Sequence, residues 1–284
     1  VHQNDVAVLA PLFHDGDLFG WTASTIHQVD VGGVNPGSFC VDADDVFAEA
    51  QPTPPIKLVE DGEIRTDIEE MFLRRSRTPQ LVGMDLRAQV ASNNVAHERL
   101  HEQIDRYGAD TVKAVMKETI DHAEQSLRSR LRDIPDGVWR HVEYQEAART
   151  GDRGVYKARL EMEKRDDRLI FNVSGDPPKG MFNCSFPAMR GGFVSAVLPM
   201  LCHDIPWALG GIYRTMEINA EDNIIINADF PAGTSMGATS GAWQAANLAT
   251  KTVANMLASS DDYEEDLFVG FCGSWATINM MGVN

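Results

Sequence analysis

Two short runs of strand-forming apolar residues, 6–13 and 18–22, flank the pair Asp15-Gly16. An Asp-Gly pair between such runs signals a two-residue type I′ turn, so the pattern predicts one β-hairpin. Periodicity is then lost. Residues 32–38 (Gly32-Gly33-Val34-Asn35-Pro36-Gly37-Ser38) form a loop, and residues 42–79 alternate acidic clusters with Pro52, Pro54, Pro55 and Pro79. That stretch reads as a surface-wrapping segment with one short strand at 56–59. From 84 to 104, Leu86, Val90, Leu100 and Ile104 keep helical spacing up to Gly108, and a second helix runs from an N-cap at Asp110 to about Leu131, before Pro135. Strands are expected at 138–144, 155–163 and 168–173, the last two joined at Arg165-Asp166-Asp167. A buried helix follows at 193–201, a second hairpin at 216–218 and 224–226, a helix at 242–257, and a last strand at 267–275.

The order of these elements lacks the βαβα alternation of a Rossmann sheet. The expected class is α+β: mixed, largely antiparallel sheets with long helices, with a sub-boundary near residue 135 where the pattern changes from helix to strand. The 284 residues and a hydrophobic fraction of 43% suffice for a core. A formal charge of −17 argues against nucleic acid or an anionic membrane surface as a partner, since both demand a positive field. Cys40, Cys184, Cys202 and Cys272 form no CxxC pair, which speaks against a disulfide framework or a cysteine-rich zinc site and for a reducing cytoplasm. Neither an 18-residue apolar run nor a signal-peptide pattern is visible. The chain opens on Val1 and runs out at 277–284 on an apolar segment without a stop signal, so it reads as an internal piece of a longer protein.

The candidate chemistry begins with two His-x-x-Asp segments, His2 to Asp5 and His27 to Asp30, at the open end of the predicted hairpin. If the turn sets the register so that paired positions sum to 31, His27 lies opposite Asn4 and His2 sits two residues further on the same face. Cross-strand diagonal neighbours are roughly 7–8 Å apart, within reach of one ion. Two histidines and a carboxylate from Asp5 or Asp30 would leave coordination positions open, as catalytic metal sites do. In strict register, however, Asp5 points to the opposite face. The site therefore requires a bend between His2 and Val6, a bulge, or a longer turn; otherwise these are solvated strand ends.

Other features carry two readings each. Gly233 to Gly241 is a glycine-rich helix entry that could bind an anion or simply allow close packing, and it lacks the Gly-Lys-Ser/Thr of a P-loop. Gly175 to Gly180 could line a polar cleft or form plain turns. Asp85 and Arg87, at the start of the first long helix, could supply a carboxylate behind a metal ligand and an anion clamp, or could serve the helix dipole. His97, His101, His122 and His141 read as solvated, and His203 as a helix C-terminal cap. No Gly-x-Ser-x-Gly elbow and no activated cysteine is present.

Taken in order, several blocks resemble the hydantoinase B family, which includes the B part of 5-oxoprolinase and the α subunits of acetone and acetophenone carboxylases. They are His2-x-x-Asp5, Phe13-His14-Asp15-Gly16-Asp17-Leu18, His27-x-x-Asp30-Val31-Gly32-Gly33, Pro36-Gly37-Ser38, Pro54-Pro55-Ile56-Lys57-Leu58, Asp85-Leu86-Arg87-Ala88-Gln89, Asp176-Pro177 through Gly180, Asp204-Ile205-Pro206 and Phe230-Pro231-Ala232-Gly233. Family members typically carry an Asn-Asp-Pro block before the first His and continue past the present C-terminus. The resemblance implies a metal held by His2, Asp5 and His27, Mn²⁺ first and Zn²⁺ second. It implies Asp30 orienting a ligand imidazole and the Gly32-Gly33 loop giving the backbone room near substrate. It further implies the metal-bearing subunit of an ATP-dependent ketone carboxylase that joins a small ketone and bicarbonate. ATP would be handled by a hydantoinase A-like partner of actin fold, with a small third subunit. The alternative within the family is ATP-dependent opening of hydantoin or 5-oxoproline rings. Many members carry Thr-His-Leu-Pro-Asp and a doubled His; the single His27 here leans toward the ketone carboxylases.

Overall fold

Asp15 and Gly16 both take positive φ, 50° and 86°, and join β1 (Asp5–His14) to β2 (Asp17–His27) as an antiparallel hairpin. Two successive positive φ values are what a type I′ turn requires. The computed structural model describes residues 2–146 and 151–267. The register departs from expectation in one respect. His14 pairs with Asp17 and Phe13 with Leu18, but Leu12 pairs with Gly20, which leaves Phe19 as the extra residue of a bulge. Beyond it the register has slipped by one, and Asp5 rather than Asn4 faces His27.

The segment read as surface-wrapping holds more structure than its composition suggests. It contains α1 (Val46–Glu49), whose N-cap Asp45 accepts from Phe47 N and Ala48 N, then β3 (Val59–Glu60) paired with β4 (Glu63–Ile64), then α2 (Thr66–Leu73). The first long helix, α3 (Pro79–Tyr107), starts five residues before its apolar spacing does, because Pro79 in the first turn is already set for helical φ. Gly108, at φ 83°, ends it, and α4 (Ala109–Asp133) follows at once, so Asp110 lies in the first turn rather than at the cap.

β5 (Gly137–Glu146), β6 (Val155–Arg165) and β7 (Arg168–Gly175) form an antiparallel meander. The chain then crosses through α5 (Phe186–Leu201) and α6 (Leu209–Tyr213) to β8 (Met216–Ala220), which pairs parallel to β7. The sheet order is β5-β6-β7-β8. Its inner face, with Leu160, Met162, Phe171 and Val173, buries against α4, α5 and the last helix, α7 (Gly241–Leu257). Phe171 stacks on Phe193 at 5.0 Å. Gly192 lets α5 and α7 touch, since a Cβ there would lie 2.6 Å from Ala242 O. The mixed, mostly antiparallel class is as expected. The second hairpin does not form: Ile224, Ile225 and Ile226 are all buried, and their backbone is spent on Asp176 O, Cys184 N and a bridge to Asn227. All but the first residue of the strand expected at 267–275, and the apolar end at 277–284, lie outside the described residues. Among the described residues no helix is long and apolar enough to cross a membrane.

One contact set fixes the hairpin. Along α3, Gln89, Asn93, His97 and His101 recur every four residues and so share one face. Gln89 Nε2 donates to Val6 O (2.7 Å) and Ser24 O (2.9 Å), Asn93 Nδ2 to Val8 O (3.0 Å), and the two imidazoles bond Thr22 Oγ1 and Phe13 O. The last two histidines are thus structural rather than solvated. Urea unfolding should show Gln89→Ala losing about 2–3 kcal/mol, because one fully buried residue makes two bonds, and the more exposed His101→Ala losing under about 1 kcal/mol. Small, equal losses would mean that this row does not hold the hairpin.

Candidate metal centre

The chain does bend before β1. Asp5 N donates to His2 O and Val6 N to Asn4 O, each at 3.0 Å, which folds His2 back over Asp5. Buried Asn4 locks the bend to the end of β2: its Nδ2 donates to Gln28 O and its carbonyl accepts from Gln28 N, both at 2.7 Å. Since Asn4 and Gln28 are hydrogen-bonded, ladder alternation makes Asp5 and His27 the non-hydrogen-bonded pair, whose side chains stand closer. The bend and the bulge together resolve the strand-parity conflict, and His2, Asp5 and His27 share one face.

Their ligand atoms converge. His2 Nε2 is 3.2 Å from His27 Nδ1, His27 Nδ1 is 3.0 Å from Asp5 Oδ1, and His2 Nε2 is 3.7 Å from Asp5 Oδ1. Among the described residues these three make a group of potential ligands all within 4.8 Å of one another. Neighbouring ligands bound at about 2.0–2.2 Å stand roughly this far apart, so two nitrogens and one oxygen fit a divalent ion with positions left open. The His2 side chain is 1% exposed and that of His27 49%, so the site is closed on one side and open on the other. Burial pushes the His2 pKa down to about 4 against the pull of Asp5, which keeps the ring in the neutral form that ligates metal. Burial raises the Asp5 carboxyl, while the hydrogen bond with His27 and the nearby His2 both pull it down, and the net direction is below the usual range.

Behind the triad stand residues that spacing did not reveal. Ser38 Oγ meets His27 Nε2 at 2.6 Å. Asp30, expected to orient an imidazole, instead accepts from Gly37 N (3.0 Å), Ser76 Oγ (3.3 Å), Arg77 N (2.6 Å) and Arg77 Nη1 (2.9 Å). It holds the loop that carries Ser38 and reaches His27 only through it. Arg77 also donates to Gly33 O (2.6 Å). Glu49 Oε1 accepts from Thr234 N and from Ser235 N (2.5 Å), so the acceptor on this glycine-rich segment is the chain's own carboxyl group. Asp85 and Arg87 lie inside α3 rather than at its start. Arg87 forks onto Glu69 at 2.8 and 3.2 Å, which occupies the expected clamp. Asp85 lies one turn before Gln89 in α3. In the 175–180 segment, Asp176 Oδ2 accepts from Lys157 N of β6 at 2.9 Å, and Lys179 N donates to Asn183 Oδ1 at 2.8 Å, so both groups hold the backbone. Ser38, the glycines and Ser235 stood in segments that the sequence singles out; Glu49 and Arg77 carried no signal of their own.

The hydantoinase B/oxoprolinase family model matches residues 1–281, and the chain belongs to this family. The acetophenone carboxylase delta subunit of Aromatoleum aromaticum is 27% identical over 238 residues, 83% of this chain and 35% of that subunit. The caprolactamase subunit beta of Pseudomonas jessenii is 30% identical over 232 residues, 81% of this chain and 40% of that subunit. This chain therefore spans well under half of either relative. The crystal structure of ATP-dependent caprolactamase from Pseudomonas jessenii superposes with a TM-score of 0.83 at 26% identity, over 93% of this chain and 45% of that one. Nucleotide-free acetone carboxylase shares the fold, with a TM-score of 0.86 at 18% identity over 95% of this chain and 37% of that one. The chain is thus related to subunits of ATP-dependent carboxylases and hydrolases.

Beside the triad, burial pushes the Glu49 carboxyl up to about 7 despite its hydrogen bonds from Ser235 and Thr234. A raised acid contributes its stability below the unfolded pKa of 4.5 and loses it as pH rises through about 7. Glu49→Gln keeps the Oε1 acceptor without the charge. In metal-free protein its stability advantage over wild type should grow between pH 4.5 and 7 and level off above, at on the order of 3 kcal/mol. Urea unfolding from pH 5 to 8 tests this; a pH-independent difference would show that Glu49 ionises as easily folded as unfolded.

Proposed function

We propose that this member of the hydantoinase B/oxoprolinase family is the metal-bearing subunit of an ATP-dependent ketone carboxylase. It would join a small ketone and bicarbonate into a 3-oxo acid, while a hydantoinase A-like partner of actin fold, with a small third subunit, handles the nucleotide. The observation that carries the reading is the convergence of His2 Nε2, His27 Nδ1 and Asp5 Oδ1 on one point with an open side. His2, His27 and Asp5 would hold the divalent ion, Mn²⁺ before Zn²⁺, and when bound it supplies Lewis acidity toward a carbonyl or enolate oxygen.

The chain's own residues do the rest. His2, buried and neutral, presents Nε2 without having to lose a proton. Ser38 Oγ both donates and accepts, so it satisfies His27 Nε2 in either tautomer and leaves Nδ1 free to face Asp5 or a cation. Substrate reaches the triad along the outer face of the hairpin, where Leu9 and Trp21 are exposed, an apolar approach suited to a ketone. Three buried free thiols, Cys40, Cys184 and Cys202, support a reducing, cytoplasmic setting.

The likeness to caprolactamase, in sequence and fold, favours a second reading in which the same site acts on the carbonyl of a cyclic amide. Assays of the whole complex separate the two. Bicarbonate-dependent ATP turnover with acetone or acetophenone is expected; turnover with caprolactam or 5-oxoproline that ignores bicarbonate would establish the second. In either case His27→Ala should lose bound metal and turnover while its stability changes by within about 0.5 kcal/mol, since the side chain is half exposed. Unchanged metal content in that variant would falsify the ligand assignment.

A further inference from the structure

Two loops meet behind the triad, and one buried residue touches both, one with its carboxylate and the other with its backbone. Glu49, the last residue of α1, is 5% exposed. Its Oε1 accepts from Thr234 N and Ser235 N, and its Oε2 meets Thr234 Oγ1 at 3.4 Å. Its backbone carbonyl lies against the other loop: a Cβ at Gly33 would stand 1.9 Å from Glu49 O. A second tie joins the same loops, where Cys40 N donates to Ser235 Oγ at 2.5 Å.

Each loop ends behind one histidine. The 32–38 loop delivers Ser38 to His27 Nε2. The 233–237 loop lays the Ser235 backbone carbonyl toward the His2 ring. His2 Nδ1 is buried and has no hydrogen-bond partner. A ring that offers Nε2 to a cation carries its proton on Nδ1, and a buried N–H without an acceptor is costly. The Ser235 carbonyl is the acceptor that a small adjustment would supply.

We propose that Glu49 is a positioning residue of the metal centre, fixing the Ser235 carbonyl behind His2 and the glycine end of the loop that places Ser38 behind His27. This rests on the reading of His2, Asp5 and His27 as ligands. Glu49 itself touches neither ion nor substrate. Two adjacent amide N–H groups point at its Oε1, and no aliphatic side chain could accept from them, so losing the acceptor frees the loop rather than merely loosening the core.

The test uses the full-length subunit in its complex, stripped by chelation and reloaded with cobalt(II). The cobalt dissociation constant and the d–d absorption spectrum report the site. Glu49→Ala is expected to raise the constant by about 10–100-fold and to alter the spectrum. Glu49→Asp, one methylene short, should do the same and serves if the alanine variant fails to fold. Glu49→Gln should restore both readouts, because its Oε1 still accepts from both amides. Wild-type affinity and spectrum in the alanine or aspartate variant would overturn the positioning role. So would a glutamine variant as weak as alanine. If the wild-type complex takes up no cobalt, the ligand assignment falls and this inference with it, whereas normal wild-type uptake with indifferent Glu49 variants removes this inference alone.

Discussion

A two-stranded hairpin standing alone is marginal in water, and everything at the metal centre hangs from one. What makes β1 and β2 rigid is the row of amide and imidazole side chains on α3, bonding hairpin carbonyls and the Thr22 hydroxyl. Apolar packing could hold a helix on a sheet face but would let it slide; hydrogen bonds to particular backbone atoms fix position along both axes. The helix also leaves the outer face free, and it is there that the triad sits. Support and chemistry are thus divided between the two faces of the same strands.

Where periodicity was strong, the fold was legible. The hairpin, the two long helices and the antiparallel meander follow from spacing, turn residues and helix stops. The register was not legible, because a bulge at Phe19 leaves no compositional mark, and one residue of slip decides which side chain faces His27. α1 and α2 are too short to show a helical period. Ile224 to Ile226 looked like a strand because β-branched residues favour one, yet all three are buried and no alternation exists to confirm it.

The candidate site divides in the same way. Its ligand types and their pairing were visible in two repeated segments, and family resemblance singled out Asp5 over Asp30. The supporting residues were hidden by distance in sequence: Glu49 meets Ser235 across 186 positions, and Asp30 meets Arg77 across 47. No spacing rule links such pairs. Asp30 shows the hazard of extending a motif by proximity, for the residue three past a ligand serves the loop and Ser38 serves the ligand.

The bulge has a consequence for how hairpin length can vary. The type I′ turn dictates parity from one end and the bend at His2 dictates it from the other, and the two disagree by one residue. Phe19 absorbs the mismatch, as an escapement tooth reconciles two wheels of unequal count. Loss of Phe19 itself would leave a regular ladder with Asp5 still opposite His27, whereas loss or gain of one residue elsewhere between them, uncompensated at the bulge, would turn the His27 imidazole away from Asp5 toward α3. The length of the β1–β2 unit is therefore itself under chemical constraint. Changes in pairs, one residue on each strand, keep Asp5 and His27 on a common face, and single ones away from Phe19 separate them.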